Sequence, residues 1–236
     1  RVTSHLVIGA GEVGCALAEL LGCDIRDVED RGDLRGTYDM IHICLPWQVE
    51  DFVGTVAVYK AHYQATYVVV HSTVPPETCD PRGWTHSPVR GKHPDLASGL
   101  QAFAKHYGGA QADEVAQLLS DYFPDYIVHE YAATTETAKL WELVQYGVEI
   151  SMMKLIYGYC AKMDLDPDEV YLMFGDTYNA GWLELGHAEY MKPVLKHTPG
   201  PIGGHCVVAG AKMLNDHHRH VLPQLVLMVQ KELEGS

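Results

Sequence analysis

The sequence is short of basic residues, has only four phenylalanines and four tryptophans, and contains no Cys-x-x-Cys pair. Lysine and arginine total 17 against 31 aspartates and glutamates, a formal charge of −14 with histidine neutral. Such a surface repels phosphodiester backbones and anionic lipid, which argues against nucleic-acid and membrane partners. No apolar run approaches the roughly eighteen residues of a membrane span, and no signal-peptide pattern is visible. The chain starts at Arg1 rather than at a methionine, so a trimmed terminus is expected. Its six cysteines, at 15, 23, 44, 79, 160 and 206, fit free thiols in a reducing, cytoplasmic setting better than a disulfide framework. Histidine, by contrast, is plentiful at 14 residues, and its protonation below about pH 6.5 would cut the negative charge steeply. The 236 residues suffice for one large domain or two smaller ones.

The most informative stretch is Leu6-Val7-Ile8-Gly9-Ala10-Gly11-Glu12-Val13-Gly14. Its apolar start reads as a buried strand, and Gly9-x-Gly11-x-x-Gly14 turns the chain into a helix from Glu12 to Leu21. The first glycine permits a tight turn, the second lets a pyrophosphate approach the backbone, and the third lets the helix pack on the strand. Free N–H groups and the helix dipole then favour bound phosphate. The segment from Cys23 to Asp30 reads as a second strand. Glu29 stands twenty residues after Gly9, where a carboxylate would hold the adenosine ribose and favour NAD over NADP, with Asp27 and Asp30 as rivals for that place.

Further strands are expected from Tyr38 to Pro46, at Tyr67 to Val70, near Thr85 to Pro88 and at Tyr126 to Val128. Helices are expected from Gln48 to Tyr63, after Pro76, from Leu96 to Tyr107 and from Glu114 to Phe123. The alternation predicts an α/β fold, a Rossmann-type doubly wound parallel sheet over residues 1–130. A smaller all-helical domain over 131–236 should follow, begun by one long helix from Thr135 to Met163. That helix is apolar around more than one face, which points to a homodimer. Asp166-Pro167-Asp168 caps the next helix, and a glycine-rich loop leads from Thr198 to Cys206.

Five pieces in order, Gly9 to Gly14, His42-Ile-Cys-Leu-Pro46, Ser72-Thr-Val-Pro-Pro76, Glu136-Thr-Ala-Lys139 and Pro199-Gly-Pro-Ile-Gly-Gly-His-Cys206, resemble the UDP-glucose/GDP-mannose dehydrogenase family. The resemblance implies that Cys206 is a nucleophile that captures an aldehyde, that Lys139 stabilises oxyanions, and that Thr73 lies near the nicotinamide and water. The chain departs from the family at three places. Val89 follows Ser87-Pro88 where the family has glutamate. Leu143 stands four residues after the lysine in place of asparagine, and Gly210 four after the cysteine in place of aspartate. The family's third, nucleotide-binding domain would begin beyond the end of this chain.

The reading that results is an NAD-dependent dehydrogenase acting on a CH–OH group of an alcohol or sugar-like small molecule, catalysed by Cys206, Lys139 and Thr73. The cofactor set is Gly9, Gly11, Glu12, Val13, Gly14, Glu29, Leu45, Pro46, Ser72 and Thr73. Arg90, Lys92, His93 and His205 are candidates for an anionic substrate. Two rivals remain: a β-hydroxyacid-type dehydrogenase or reductase using Lys139 without a covalent step, and a catalytically silent NAD-binding protein. His71, His86, His93 and His205 invite a metal, but no spacing resembles a zinc motif and no metal is expected. His42 and Cys44, alternating with Ile41 and Ile43, read as core residues.

Overall fold

The computed structural model describes residues 3–27, 36–91, 96–203 and 205–235. The chain divides into two compact units, Arg1–Lys139 and Leu140–Ser236.

The first unit is an α/β sheet. Its elements are β1 His5–Ile8, α1 Glu12–Leu21, β2 Asp24–Arg26, β3 Met40–Ile43, α2 Phe52–Tyr63, β4 Tyr67–Val70, β5 Thr85–His86, α3 Leu96–Ala102, β6 Lys105–Gly108, α4 Ala112–Leu118 and β7 Tyr126–His129. The strands lie in the order β2-β1-β3-β4-β5-β6-β7. The chain goes outward from β1 to β2, then returns past β1 to β3, so the strand order reverses between β1 and β3. Ligands of open α/β sheets bind outside the carboxyl ends of strands at such a reversal. Both faces are covered, and the side chains divide by the period of two. Leu6, Ile8, Ile41, Ile43, Val68 and Val70 enter one core, while Val7, Met40 and Val69 enter the other.

The sheet is parallel from β2 through β5, with one exception to the expected pattern. β6 is antiparallel to β5, and β7 is parallel to β6. The helix expected to run to Tyr107 ends at Ala102, and residues 105–108 form a strand instead. Lys105 and Tyr107 are buried and His106 is half-buried, the alternation of a strand whose polar residues disguise it. The helix expected from Gln48 begins at Phe52, where Asp51 caps it by accepting the Gly54 N–H.

A single helix, α5 (Ala132–Met163, 32 residues), begins in the first unit and continues into the second. The second unit adds a π-helical turn at Asp168–Met173, α6 (Phe174–Glu184), α7 (His205–His217) and α8 (Val221–Glu234). Its core gathers Leu140, Val144 and Met153 of α5 with Val207, Ala211 and Leu214 of α7 and Val226 and Val229 of α8. Gly147 lets these helices approach: a Cβ there would stand 2.8 Å from Val207 and 3.0 Å from Val226. Among the described residues no helix is long and apolar enough to cross a membrane.

Candidate active site

The three glycines of the first turn differ in their surroundings. Gly9 has φ +106°, and its N–H donates to the Arg26 carbonyl at 2.7 Å. A Cβ at Gly14 would lie 1.8 Å from the Gly9 carbonyl oxygen, so only glycine lets α1 start this close to β1. A Cβ at Gly11 would meet nothing within 4 Å, so the backbone is open there. Gly11 also caps α1 without a side-chain acceptor, and exposed Glu12 and half-buried Val13 follow it. This is a donor-rich helix start fitted to a phosphate. Glu29 and Asp30 lie outside the described residues, as do Lys92 and His93. The Asp27 side chain is half-buried, directly after β2.

At the carboxyl ends of β3 and β4, Leu45 is buried, Pro46 exposed, and Ser72 and Thr73 are half-buried. The Ser72 hydroxyl donates to the Leu45 carbonyl, which ties the two strand ends together. Behind them lies a group that the sequence showed only as scattered histidines. His71 Nδ1 stands 2.8 Å from the Ser87 carbonyl, His42 Nδ1 is 3.0 Å from His71 Nε2, and His5 Nδ1 is 3.2 Å from His42 Nε2. A carbonyl only accepts, so the proton of His71 sits on Nδ1 and its Nε2 accepts from His42. The same logic places the next protons on Nδ1 of His42 and of His5. Burial drives the basicity of His42 and His71 well below the ordinary imidazole value, so both rings are neutral.

Lys105 lies in the same region and is 4% exposed. Its Nζ has no hydrogen-bond partner and sits 5.4 Å from the Phe123 ring centre. Burial lowers its pKa to about 8. Burial likewise pushes the Cys44 thiol up to about 12, which makes it an inert core thiol rather than a nucleophile.

Lys139 is half-buried on α5, one turn after Glu136. Two carboxylates bind this turn to the loop after β4. Asp80 accepts the N–H groups of Ala132 at 2.7 Å and Ala133 at 2.9 Å, capping α5 from a distant part of the sequence. Glu136, fully buried, accepts the N–H of Cys79 at 2.9 Å and of Thr78 at 3.3 Å. Desolvation raises its pKa, and these hydrogen bonds hold it down in part. Glu136 was visible beforehand only as part of a Glu-x-x-Lys pattern, and Asp80 gave no signal.

In the second unit Cys206 is exposed at the second residue of α7. The loop before it is held by Lys154, whose Nζ donates to the carbonyls of Thr198 at 2.8 Å and Gly200 at 2.7 Å. Gln230 holds the same loop by accepting the Ile202 N–H at 2.8 Å. Gly204 and the side chain of His205 lie outside the described residues. Leu143 and Gly210, two of the three departures from the family pattern, touch: a Cβ on Gly210 would lie 2.7 Å from Leu143 Cδ1. Arg90 lays its guanidinium 5.5 Å from the Phe103 ring centre. Among the described residues, no group of three or more His, Cys, Asp or Glu side chains could hold a metal ion.

No family model matches the chain, and no curated protein does. Solved structures do. The UDP-D-ManNAc dehydrogenase of Pyrococcus horikoshii superposes with TM-score 0.80 at 15% identity, over 98% of this chain and 69% of that one. The UDP-glucose dehydrogenase of Pyrobaculum islandicum does so with TM-score 0.68 at 13% identity, over 98% and 68%. The 3-hydroxyisobutyrate dehydrogenase of Mycobacterium tuberculosis gives TM-score 0.66 at 14% identity, over 100% of this chain and 95% of that one. The chain therefore has the fold that nucleotide-sugar dehydrogenases share with a hydroxyacid dehydrogenase, a Rossmann-type sheet followed by helices that begin with one long α5.

Proposed function

We propose that this chain is an NAD-dependent oxidoreductase acting on a CH–OH group of a sugar-like or hydroxyacid substrate. The observation that carries the reading is the turn from β1 to α1, closed at Gly9 and Gly14 and open at Gly11, beside the reversal of strand order. NAD, when bound, supplies a hydride acceptor. Gly9, Gly11, Glu12, Val13 and Gly14 hold its pyrophosphate, with Glu29 on the ribose. Leu45, Pro46, Ser72 and Thr73 border the nicotinamide end. Lys139 would take the hydroxyl proton of the substrate alcohol, whose product is the corresponding carbonyl compound. Arg90, with Lys92 and His93, would hold an anionic part of the substrate.

One observation favours a two-electron reaction over a covalent one through Cys206. The polar side chains that the family has at positions 143 and 210 are replaced by an apolar contact between Leu143 and Gly210. The test is NADH formation with a panel of UDP-N-acetylmannosamine, UDP-glucose and 3-hydroxyisobutyrate. Lys139→Ala should lose about a hundredfold or more, the scale of a proton-transfer group, while Cys206→Ser keeps most of the activity. Loss of activity in Cys206→Ser, with aldehyde trapped on the thiol, would instead establish the covalent route. Calorimetry showing no NAD binding at millimolar concentration overturns the reading.

The protein acts in the cytoplasm as a homodimer through α5. In the second unit α5 exposes Met152 at 53%, Tyr159 at 59% and Met163 at 54%, and α6 exposes Phe174 at 76%. Apolar exposure on this scale calls for a partner surface. Light scattering that finds a 26.2 kDa particle at micromolar concentration refutes the dimer.

A further inference from the structure

His86 ends β5 and is fully buried, with both ring nitrogens engaged by different elements. Its Nε2 stands 3.1 Å from the Ser72 carbonyl, and its Nδ1 stands 2.8 Å from Thr135 Oγ1 on α5. The carbonyl only accepts, so Nε2 carries the proton and Nδ1 is left as an acceptor for the threonine hydroxyl, which shares its one proton with the Ala132 carbonyl at 2.9 Å. Thr135 lies four residues before Lys139, so the two occupy one face of α5, a turn apart. Asp80 and Glu136 tie the start of α5 to residues 78–80. The path through His86 links this face of the helix to the peptide preceding Thr73.

We propose that His86 is a positioning residue that fixes the height of Lys139 over the Ser72–Thr73 peptide through the chain Ser72 carbonyl, His86 ring, Thr135 hydroxyl. The inference rests on the role of Lys139 given above. The two groups that would flank a reacting alcohol, the Lys139 amine and the Thr73 loop, come from segments more than sixty residues apart. A helix turn is stiff, so one hydrogen-bonded contact four residues away sets where the Lys139 stem leaves the backbone. An imidazole suits the task because it is flat, rigid beyond two torsions, and donates at one end while accepting at the other. A ring kept neutral adds no charge beside the Lys139 amine. The histidine thus acts on the reaction through distance alone.

The experiment compares Thr135→Val, Thr135→Ser, His86→Phe and the pair Thr135→Val with His86→Phe. Two readouts are taken from each: the pH profile of Lys139 acylation by acetic anhydride, followed by peptide mass spectrometry, and kcat and KM for NADH formation on the substrate panel above. Thr135→Val removes the hydroxyl at constant shape. It should change the Lys139 acylation profile and lower kcat about a hundredfold, the scale of an ångström of misplacement, with KM unchanged. Thr135→Ser keeps the hydroxyl and should restore both. The double variant should be no worse than the worse single, because both break one path. An unchanged Lys139 profile in folded Thr135→Val overturns the proposal, and so do single effects that multiply in the double. If Lys139→Ala still forms NADH while Thr135→Val shifts the acylation profile, the catalytic role of Lys139 fails and the positioning stands. If no substrate of the panel reacts, the acylation profiles decide the proposal by themselves.

Discussion

Acidification should unfold this protein through its buried histidines. His42, His71 and His86 are 0%, 3% and 0% exposed and neutral in the fold, and burial puts His86 at about 3. In the unfolded chain each returns to about 6.5. Below that value the unfolded state binds protons that the folded state refuses, so stability is full above pH 6.5 and falls as pH drops. For His86 the loss runs from about pH 6.5 down to about pH 3. At pH 5 it amounts to 1.5 pH units at about 1.36 kcal/mol each, or about 2 kcal/mol. His42 and His71 add in the same direction. The slope of stability against pH should therefore lie between about 1.4 kcal/mol per pH unit for one proton and about 4 for three. A total stability of roughly 5–15 kcal/mol cannot absorb that slope for long. Glu136, raised by burial, takes its proton earlier in the fold and offsets part of the loss at lower pH. The assay is urea unfolding at half-unit steps from pH 7.5 to 5, with the imidazole resonances followed by NMR in the folded state. A stability that changes by less than about 1 kcal/mol over pH 6.5 to 5, or buried rings that titrate near 6.5, would refute the reasoning.

Lys105→Met removes a buried ammonium with no hydrogen-bond partner and should stabilise the protein by about 1–4 kcal/mol in urea melts at neutral pH. The wild type should also gain stability as pH rises from about 8 toward 10.5, where the unfolded lysine still holds its proton and the folded one has lost it. The Met variant should not show this gain. Gly210→Ala weighs a helix-propensity gain of about 1 kcal/mol against overpacking of about 1–3 kcal/mol on Leu143, so it should be neutral to destabilising. With Leu143→Ala present, the same change should stabilise by about 1 kcal/mol; an equal effect in both backgrounds means that the two residues are independent.

Where sequence and structure meet, the difference is one of range. The glycine turn was legible because each of its constraints is local: a positive φ at Gly9, an open approach at Gly11, a helix start too close for a side chain at Gly14. Strands β1, β3 and β4 were legible because apolar residues fill them, and α5 because its spacing continues for eight turns without proline. β6 was not, because Lys105-His106-Tyr107-Gly108 carries a lysine and a histidine, and pairing with β5 and β7 makes it a strand. The working parts of the site were missed for the same reason. His86 meets Thr135 across 49 residues, Asp80 meets Ala132 across 52, and no local pattern announces either. Leu143 and Gly210 could be read singly as departures, but not as a pair packed against each other.

The order of protons along His5, His42 and His71 carries a consequence for how such a chain of rings can arise or be lost. Every ring takes its orientation from the one after it, and the Ser87 carbonyl fixes the last. Losing His5 leaves the other two rings each with a donor and an acceptor role intact, except for one lone pair at the rim. Losing His71 leaves the His42 N–H facing a void in the centre of the sheet. Substitutions at the three positions are therefore unequal, although the residues are chemically identical. The chain can grow or shrink one ring at a time only from the β1 end, and its ancestry should read in that order.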